Sequence, residues 1–181
     1  SYGDYQCDTK DPTITSLTVD GITGPNGPVI SLDGLPNVAW SGADTGGSNL
    51  DFAQVWRLDG PCADTGWSKV SGDINQSGSS DTGSWQESTV LADGTYCYGL
   101  HINDNAGRFV TESVSQRVEV SVDTGLPTVN ATPNSSSGWQ AGATSITLTA
   151  TDASGISAAR YRWDNSDPKG GGTDYNHNDI I

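Results

Sequence analysis

The stretch "HINDNAGR" at residues 101–108 brings together side chains that could bind a metal ion. Asn103, Asp104 and Asn105 offer hard oxygen donors of the kind that surround calcium, and Gly107 permits a sharp bend. The same residue types favour a hairpin turn, because Asn and Gly tolerate positive φ. The motif therefore leaves two interpretations open, a calcium loop and a chain reversal.

The six tryptophans suggest a second kind of chemistry, the stacking of flat rings on sugars. Trp40 and Trp56 fall in runs that predict strands, where a buried aromatic side chain is the ordinary expectation. Trp67, Trp85 and Trp139 lie nearer predicted loops or edges, and these three are the candidates for ligand contact.

Catalytic chemistry has little support in the sequence. A nucleophile needs a base within hydrogen-bonding reach, and the chain has only two histidines, His101 and His177. The chain contains no GxSxG or HExxH motif and no phosphate-binding glycine loop. The sequence therefore predicts a protein that is not an enzyme.

Charge and cysteine content limit the partners and the compartment. The net charge of −14 disfavours nucleic acid, whose phosphates are bound by Lys and Arg. No apolar run approaches the roughly 20 residues that span a bilayer, so membrane insertion is not expected. Cys7, Cys62 and Cys97 lack zinc-site spacing and suggest one disulfide with one cysteine left over. Together with an N-terminus that lacks Met, these features predict a processed, extracellular or cell-surface protein.

Strand signals dominate the chain, in short, nearly alternating runs separated by Gly, Pro, Asn and Asp. An internal repeat divides these runs: "DPTITSLTV" at 11–19 is echoed by "LPTVNATPN" at 126–134, a period of about 115 residues. We therefore expect an N-terminal arm at 1–11, a complete domain at 12–123 and a second, incomplete domain at 124–181.

Three segments carry a family resemblance. "VDTGLPTV" at 122–129, "NDNAG" at 103–107 and "SITLTATDASGISAARYRWD" at 145–164 resemble the linker, a turn and two strands of bacterial immunoglobulin-like repeats in extracellular surface proteins and adhesins. The resemblance covers roughly residues 12–165. It implies an all-β fold, an immunoglobulin-like β-sandwich with one complete repeat followed by a second, partial repeat.

The strands of the first repeat can be placed in that fold. The expected strands A, B, C, E, F and G lie at about 13–19, 36–41, 52–58, 84–90, 95–102 and 114–122. Strands C and F are neighbours in such sandwiches, which places Cys62 near Cys97 and implies a disulfide between them, worth about 4 kcal/mol. Tyr96 occupies the position of a tyrosine corner.

The resemblance also implies two places where oxygen ligands meet. The chain entry and the B–C and F–G turns share one end of the sandwich and form the first expected calcium group: Asp11, Asp44, Asn103 and Asp104. The E–F turn, the linker and the second domain form the other group: Asp93, Asp123 and Asp152. The alternative is that each side chain caps its own turn.

Short acceptor motifs for N-glycosylation occur at Asn75, Asn130 and Asn134. They matter if the protein is exported, since surface loops are where such motifs are used.

These observations favour a non-enzymatic extracellular structural or adhesive protein, such as a stalk, an adhesin segment or a filament subunit. Its expected partners are adjacent repeats or other copies of itself, joined by strand addition with the arm as a candidate donor, and possible surface glycans. One alternative is a carbohydrate-binding accessory module of a secreted enzyme. Another is an enzyme whose catalytic part lies outside these residues.

Overall fold

A computed structural model describes residues 7–24, 28–133, 146–156, 158–161 and 173–175. The chain forms two compact units, Ser1–Thr124 (unit 1) and Gly125–Ile181 (unit 2). Strands account for the regular structure of the described residues, apart from one 3-10 turn at Val114–Gln116. No helix among these residues has the length and apolar character needed to cross a membrane. Asn134, Trp139 and His177 lie outside the described residues.

The first sheet of unit 1 has four antiparallel strands in the order β2-β1-β4-β8. Their bounds are β1 Thr13–Val19, β2 Ile22–Thr23, β4 Asn37–Ala43 and β8 Ser80–Gln86. Strands β1 and β2 are joined by a tight turn in which Asp20 and Gly21 both have positive φ.

The second sheet has the order β3-β11-β9-β5-β6, with β10 also beside β9 and β7 also beside β5. Its strands are β3 Val29–Ser31, β5 Leu50–Leu58, β6 Ser68–Lys69, β7 Ile74–Asn75, β9 Gly94–Asp104, β10 Phe109–Val110 and β11 Val118–Val122. All neighbours are antiparallel except β3 and β11, which are parallel.

The two sheets share one hydrophobic core, so unit 1 has a sandwich-like, all-β fold. Alternate residues of the long strands point inward, as in Val118, Val120 and Val122 of β11, and these three are almost fully buried. Burial of each such side chain contributes about 1.5–3 kcal/mol. The buried apolar residues of this cluster are Ile14, Leu17, Val19, Val29, Val38, Trp40, Leu50, Ala53, Val55, Tyr98, Leu100, Ile102, Val118, Val120 and Val122.

Two strand predictions need correction. The strand expected at 84–90 is β8 at Ser80–Gln86, and a short strand that was not expected, β7, precedes it. Of the strand expected at 114–122, the first part is the 3-10 turn and only Val118–Val122 is strand. The predicted antiparallel pairing of strands C and F is confirmed by β5 and β9.

The prediction for Trp56 was also wrong. Trp40 is buried in the core, but Trp56 is only half-buried and stacks on His101, with ring centroids 4.5 Å apart. The reason is strand alternation: Val55 takes the inward position on β5, so its neighbour Trp56 faces the other side of the sheet.

The described part of unit 2 contains two pairs of antiparallel strands. Thr128–Pro133 (β12) pairs with Ile146–Thr151 (β13), and Ala159–Tyr161 (β14) pairs with Thr173–Tyr175 (β15). Strand β15 lies in the tail "KGGGTDYNHNDII", whose sequence shows no strand signal before its last two isoleucines. Among the described residues of this unit, Ala150 is the one buried apolar side chain.

Candidate functional site

Three segments of unit 1 bring their carboxylates together at one end of the sandwich. Asp44 directly follows β4, Asp104 is the last residue of β9, and Asp8 lies in the segment before β1. One carboxylate oxygen from each residue lies within 4.8 Å of the other two. Among the described residues, this is the one group of three acidic, histidine or cysteine side chains close enough to hold a metal ion.

Asp44 organises the turn between β4 and β5. Its Oδ1 accepts a hydrogen bond from the Gly46 N–H at 2.7 Å, and its Oδ2 accepts one from the Asn49 N–H at 2.8 Å. Asn49 has a φ of 68°, a conformation that Asn tolerates better than most residues. Asp44 is 2% exposed, so the turn closes over its side chain.

Asp8 joins the N-terminal segment to that same turn. Its Oδ2 accepts hydrogen bonds from the Ser48 N–H at 3.1 Å and from the Ser48 hydroxyl at 2.5 Å. Its Oδ1 accepts one from the Lys10 N–H at 2.9 Å. The hydrogen bond from the Ser48 side chain, followed by that from the Lys10 backbone, lowers the pKa of Asp8 below its ordinary value.

Gly46 makes this approach possible. A Cβ at Gly46 would overlap the carboxylate of Asp8, so a side chain at this position would displace the acidic group from the turn. The glycine is needed here for close approach.

Asp104 begins the turn after β9. Its Oδ1 accepts hydrogen bonds from the Ala106 N–H at 2.9 Å and the Arg108 N–H at 2.8 Å. Its Oδ2 is buried and has no hydrogen-bond partner, and the residue is only 1% exposed. Most buried polar atoms in proteins are paired, so this unpaired carboxylate oxygen calls for an explanation.

Asn105 joins the two turns directly. Its Nδ2 donates hydrogen bonds to three successive carbonyls, those of Ser48, Asn49 and Leu50, at 3.1, 3.1 and 3.0 Å. The run Asn103–Asn105 therefore has mixed roles, since Asp104 faces the carboxylate group while Asn105 holds the turns together.

Two residues expected in this group lie elsewhere. Asp11 is 59% exposed, and its Oδ1 pairs with Nη2 of Arg108 at 2.6 Å. Asn103 is half-buried within β9, opposite Phe52 and Phe109, and strand alternation turns it to the face away from Asp104. Asp8, which the sequence did not indicate, takes the place expected for Asp11.

Asp93 and Asp123 of the second expected calcium group belong to unit 1, and Asp152 belongs to unit 2. Asp93 accepts hydrogen bonds through Oδ1 from the Thr124 N–H and hydroxyl, at 2.8 and 2.7 Å. Asp123 is buried in unit 1. Asp152 belongs to unit 2, where its Oδ1 accepts hydrogen bonds from the Ser154 N–H at 3.0 Å and the Ser154 hydroxyl at 2.6 Å. Convergence of Asp93, Asp123 and Asp152 stays a prediction.

The opposite region of unit 1 contains the disulfide. Cys62 and Cys97 are bonded, with their Cα atoms 5.0 Å apart, as the resemblance implied. Cys7 is exposed and free.

The hydroxyl of Tyr96 donates to the carbonyl of Ala92 at 2.9 Å, which is the hydrogen bond expected of a tyrosine corner.

A buried polar network was missed by the sequence reasoning. Glu87 accepts hydrogen bonds through Oε1 from the Tyr98 hydroxyl at 2.9 Å and from Nη1 of Arg57. Burial and the negative charge of Glu87 raise the pKa of Tyr98 well above its ordinary value. Burial opposes the charge of Arg57, but hydrogen bonds to Asp59 and Glu87 outweigh that effect, and the pKa of Arg57 is raised. Nothing in the sequence spacing links these residues.

His101 is used in packing. Its ring stacks on Trp56, and its Nε2 lies 3.1 Å from Oε2 of the buried Glu112. The neighbours of this histidine are therefore an aromatic ring and a carboxylate.

The aromatic and glycosylation candidates have different surroundings. Trp85 packs against the hydrophobic core from β8. Trp67 is half-buried, donates to the carbonyl of Ala63 and lies beneath the Arg117 guanidinium, 5.6 Å from the ring centroid. Asn75 and Asn130 are exposed on β7 and β12.

No protein-family model and no curated protein matched this chain.

Proposed function

We propose that this chain is a non-enzymatic module of an extracellular structural or adhesive protein, of the immunoglobulin-like β-sandwich class. A stalk, an adhesin segment and a filament subunit all belong to this proposal. The observation that carries it is the strand order of unit 1: β1, β4 and β8 form one sheet, while β5, β9 and β11 are neighbours in the other. This division supports the proposed class, in which strands A, B and E form one sheet and strands C, F and G lie together in the other.

The disulfide supports an extracellular location. Cys62 and Cys97 are bonded, and Cys97 is fully buried. Structural disulfides persist in oxidising compartments and are rare in the cytosol. Exposed Asn75 and Asn130 would also be accessible to glycosylation in an exported protein.

The use of polar residues supports a non-enzymatic role. His101, Glu112, Arg57 and Glu87 are engaged in packing and ion pairs within the sheet region. Function in such a module resides in its surfaces and ends.

Strand β8 supports association with adjacent repeats or with other copies. It is the last strand of the first sheet, and a sheet edge is where another chain adds a strand through main-chain hydrogen bonds.

Display of the full chain on a bacterial cell that lacks other adhesins tests this proposal. We expect displayed cells to aggregate with one another, or to attach to glycan- or protein-coated surfaces, more than undisplayed cells do. The matched control is the Cys62→Ser, Cys97→Ser double variant displayed at equal density, whose destabilised fold should weaken both effects. Behaviour indistinguishable from undisplayed cells in both assays would overturn the proposal.

A further inference from the structure

We propose that Asp8, Asp44 and Asp104 form a calcium site that fastens the N-terminal segment to the two turns at one end of unit 1. The site does not depend on the adhesive role proposed above. It rests on the position, burial and hydrogen bonding of three side chains.

Carboxylate oxygens from the three residues lie within 4.8 Å of one another, and both Asp44 and Asp104 are almost fully buried. Bringing like charges together away from water is unfavourable unless a cation or a proton compensates them. Arg108 supplies one nearby positive charge, but its Nη2 is directed to the exposed Asp11. A bound divalent cation would compensate the inner three carboxylates.

The unpaired oxygen of Asp104 is an independent sign of a missing ligand. Oδ1 of Asp104 already accepts two backbone N–H groups, whereas Oδ2 is buried without a partner. A cation coordinated by this oxygen would remove the cost of burying it unpaired, which is about 1–3 kcal/mol or more for a charged group.

The number and the type of the ligands favour calcium over magnesium. Calcium takes about six to eight oxygen ligands in flexible geometry, so several protein carboxylates can meet around it, whereas magnesium usually keeps several waters and binds only one or two carboxylates. The three carboxylates come from three separate segments of the chain, an arrangement that suits the less demanding geometry of calcium. Carboxylates and water are also the hard ligands that calcium prefers.

Gly46 makes the inference testable without removing a ligand. Because a Cβ at Gly46 would overlap the flexible carboxylate of Asp8, Gly46→Ala should displace Asp8 while leaving the rest of the turn in place. The substitution therefore separates assembly of the site from loss of charge.

The experiment is titration calorimetry of the full chain with calcium chloride and, separately, magnesium chloride, together with thermal melting in calcium or EGTA. We expect one calcium per chain with a dissociation constant of about 10⁻⁴–10⁻³ M, the range of extracellular modules. Magnesium should bind at least tenfold more weakly. Melting in about 10 mM calcium should lie roughly 5–10 °C above melting in EGTA.

The variants assign the ligands. Asp8→Asn, Asp104→Asn and Gly46→Ala should each weaken calcium binding at least tenfold. In EGTA, the melting temperature of Asp104→Asn should be no lower than that of the wild type, because charge repulsion among the carboxylates is relieved. Asp11→Asn is the matched control and should change the calcium affinity by less than threefold. If Asp104→Asn does not fold, the other two variants carry the test.

Absence of calcium binding by the wild-type chain at about 10 mM, the upper end for weak extracellular sites, would overturn the proposal. So would magnesium binding as tight as calcium binding. Loss of binding in Asp11→Asn but not in Asp8→Asn or Gly46→Ala would also overturn the assignment of the site.

Discussion

At the scale of single residues, the ionisation of Tyr98 makes the stability of the fold depend on pH. Its hydroxyl donates to the buried Glu87, and burial first, then the charge of Glu87, raises its pKa. The folded state therefore keeps the phenol proton at a pH where the unfolded state releases it. The stability associated with this group is complete below about pH 10, the ordinary tyrosine pKa, and is lost as the pH rises above it.

We expect the unfolding free energy of Tyr98→Phe to depend less on pH in the alkaline range than that of the wild type. Without this phenol proton, the unfolding free energy should fall less steeply above pH 10, by up to about 1.4 kcal/mol per pH unit. At neutral pH the variant should be about 1 kcal/mol less stable because one hydrogen bond is missing. Denaturant unfolding of both proteins from pH 7 to 11 measures the two effects, and parallel alkaline slopes would contradict the first.

Gly83 is fixed by contact with a ring. It pairs with Trp40 across β4 and β8, and a Cβ at Gly83 would overlap the Trp40 indole. We expect Gly83→Ala to lower the unfolding free energy by about 1–3 kcal/mol through overpacking. Gly72→Ala is the control, since Gly72 is exposed and has open space around its Cβ position.

Urea unfolding of both glycine variants gives the comparison directly. The control should stay within about 0.5 kcal/mol of the wild type. Equal effects of the two substitutions would show that Trp40 does not pack on Gly83 in solution.

The resemblance to immunoglobulin-like repeats predicted part of the candidate site. Asp44 and Asp104 were expected together because the B–C and F–G turns share one end of such a sandwich. Asp8 was not, because its position depends on a tertiary contact with Ser48, forty residues along the chain. Asp11 has the same side chain and lies nearer β1 in the sequence, but it is exposed and forms an ion pair with Arg108.

At the scale of elements, Asn105 is the connection between two turns. Its side-chain amide donates to the carbonyls of Ser48, Asn49 and Leu50, so the β9–β10 turn is held against the β4–β5 turn. We expect Asn105→Ala to cost about 1–3 kcal/mol, because carbonyls that lose this donor are left poorly satisfied.

The control for this substitution is Asn75→Ala, which removes an exposed side chain from β7 and should be nearly neutral. Hydrogen exchange supplies the local measurement: protection of the Asn105 N–H, which donates to the Asn49 carbonyl, should fall in Asn105→Ala only. Unchanged protection would contradict the connecting role.

Strand β8 is the kind of strand that its own sequence pattern does not predict. Its sequence "SDTGSWQ" contains one large apolar residue and two poor strand formers, Asp81 and Gly83, so nothing local marks it as a strand. It is held by seven register pairs to β4, a strand whose own alternation is clear. Long strands with alternate apolar residues, such as β1, β5 and β9, were predicted because their signal is local.

At the scale of the whole molecule, the two units differ in how much core they contain. Unit 1 has a continuous cluster drawn from both sheets, whereas the described part of unit 2 has only Ala150 as a buried apolar side chain. We expect thermal unfolding of the full chain to be dominated by unit 1. Hydrogen exchange on the full chain checks this expectation, because the slowest amides should then lie in β5 and β9.

The chain has 22 acidic and 8 basic residues, which gives a formal net charge of −14. Such a charge keeps copies apart through repulsion, and that repulsion is screened by salt. Association through an exposed edge strand should therefore strengthen as ionic strength rises, which light scattering at low and high salt measures.

The disulfide also sets how far the chain can be stretched. Cys62 and Cys97 are separated by 35 positions in sequence but their Cα atoms are 5.0 Å apart. When the ends of the protein are pulled, the disulfide keeps the segment between Cys62 and Cys97 from extending. Reduction should release roughly 110–120 Å of additional contour length. In single-molecule stretching, equal contour gains under oxidising and reducing conditions would show that the bond does not limit extension.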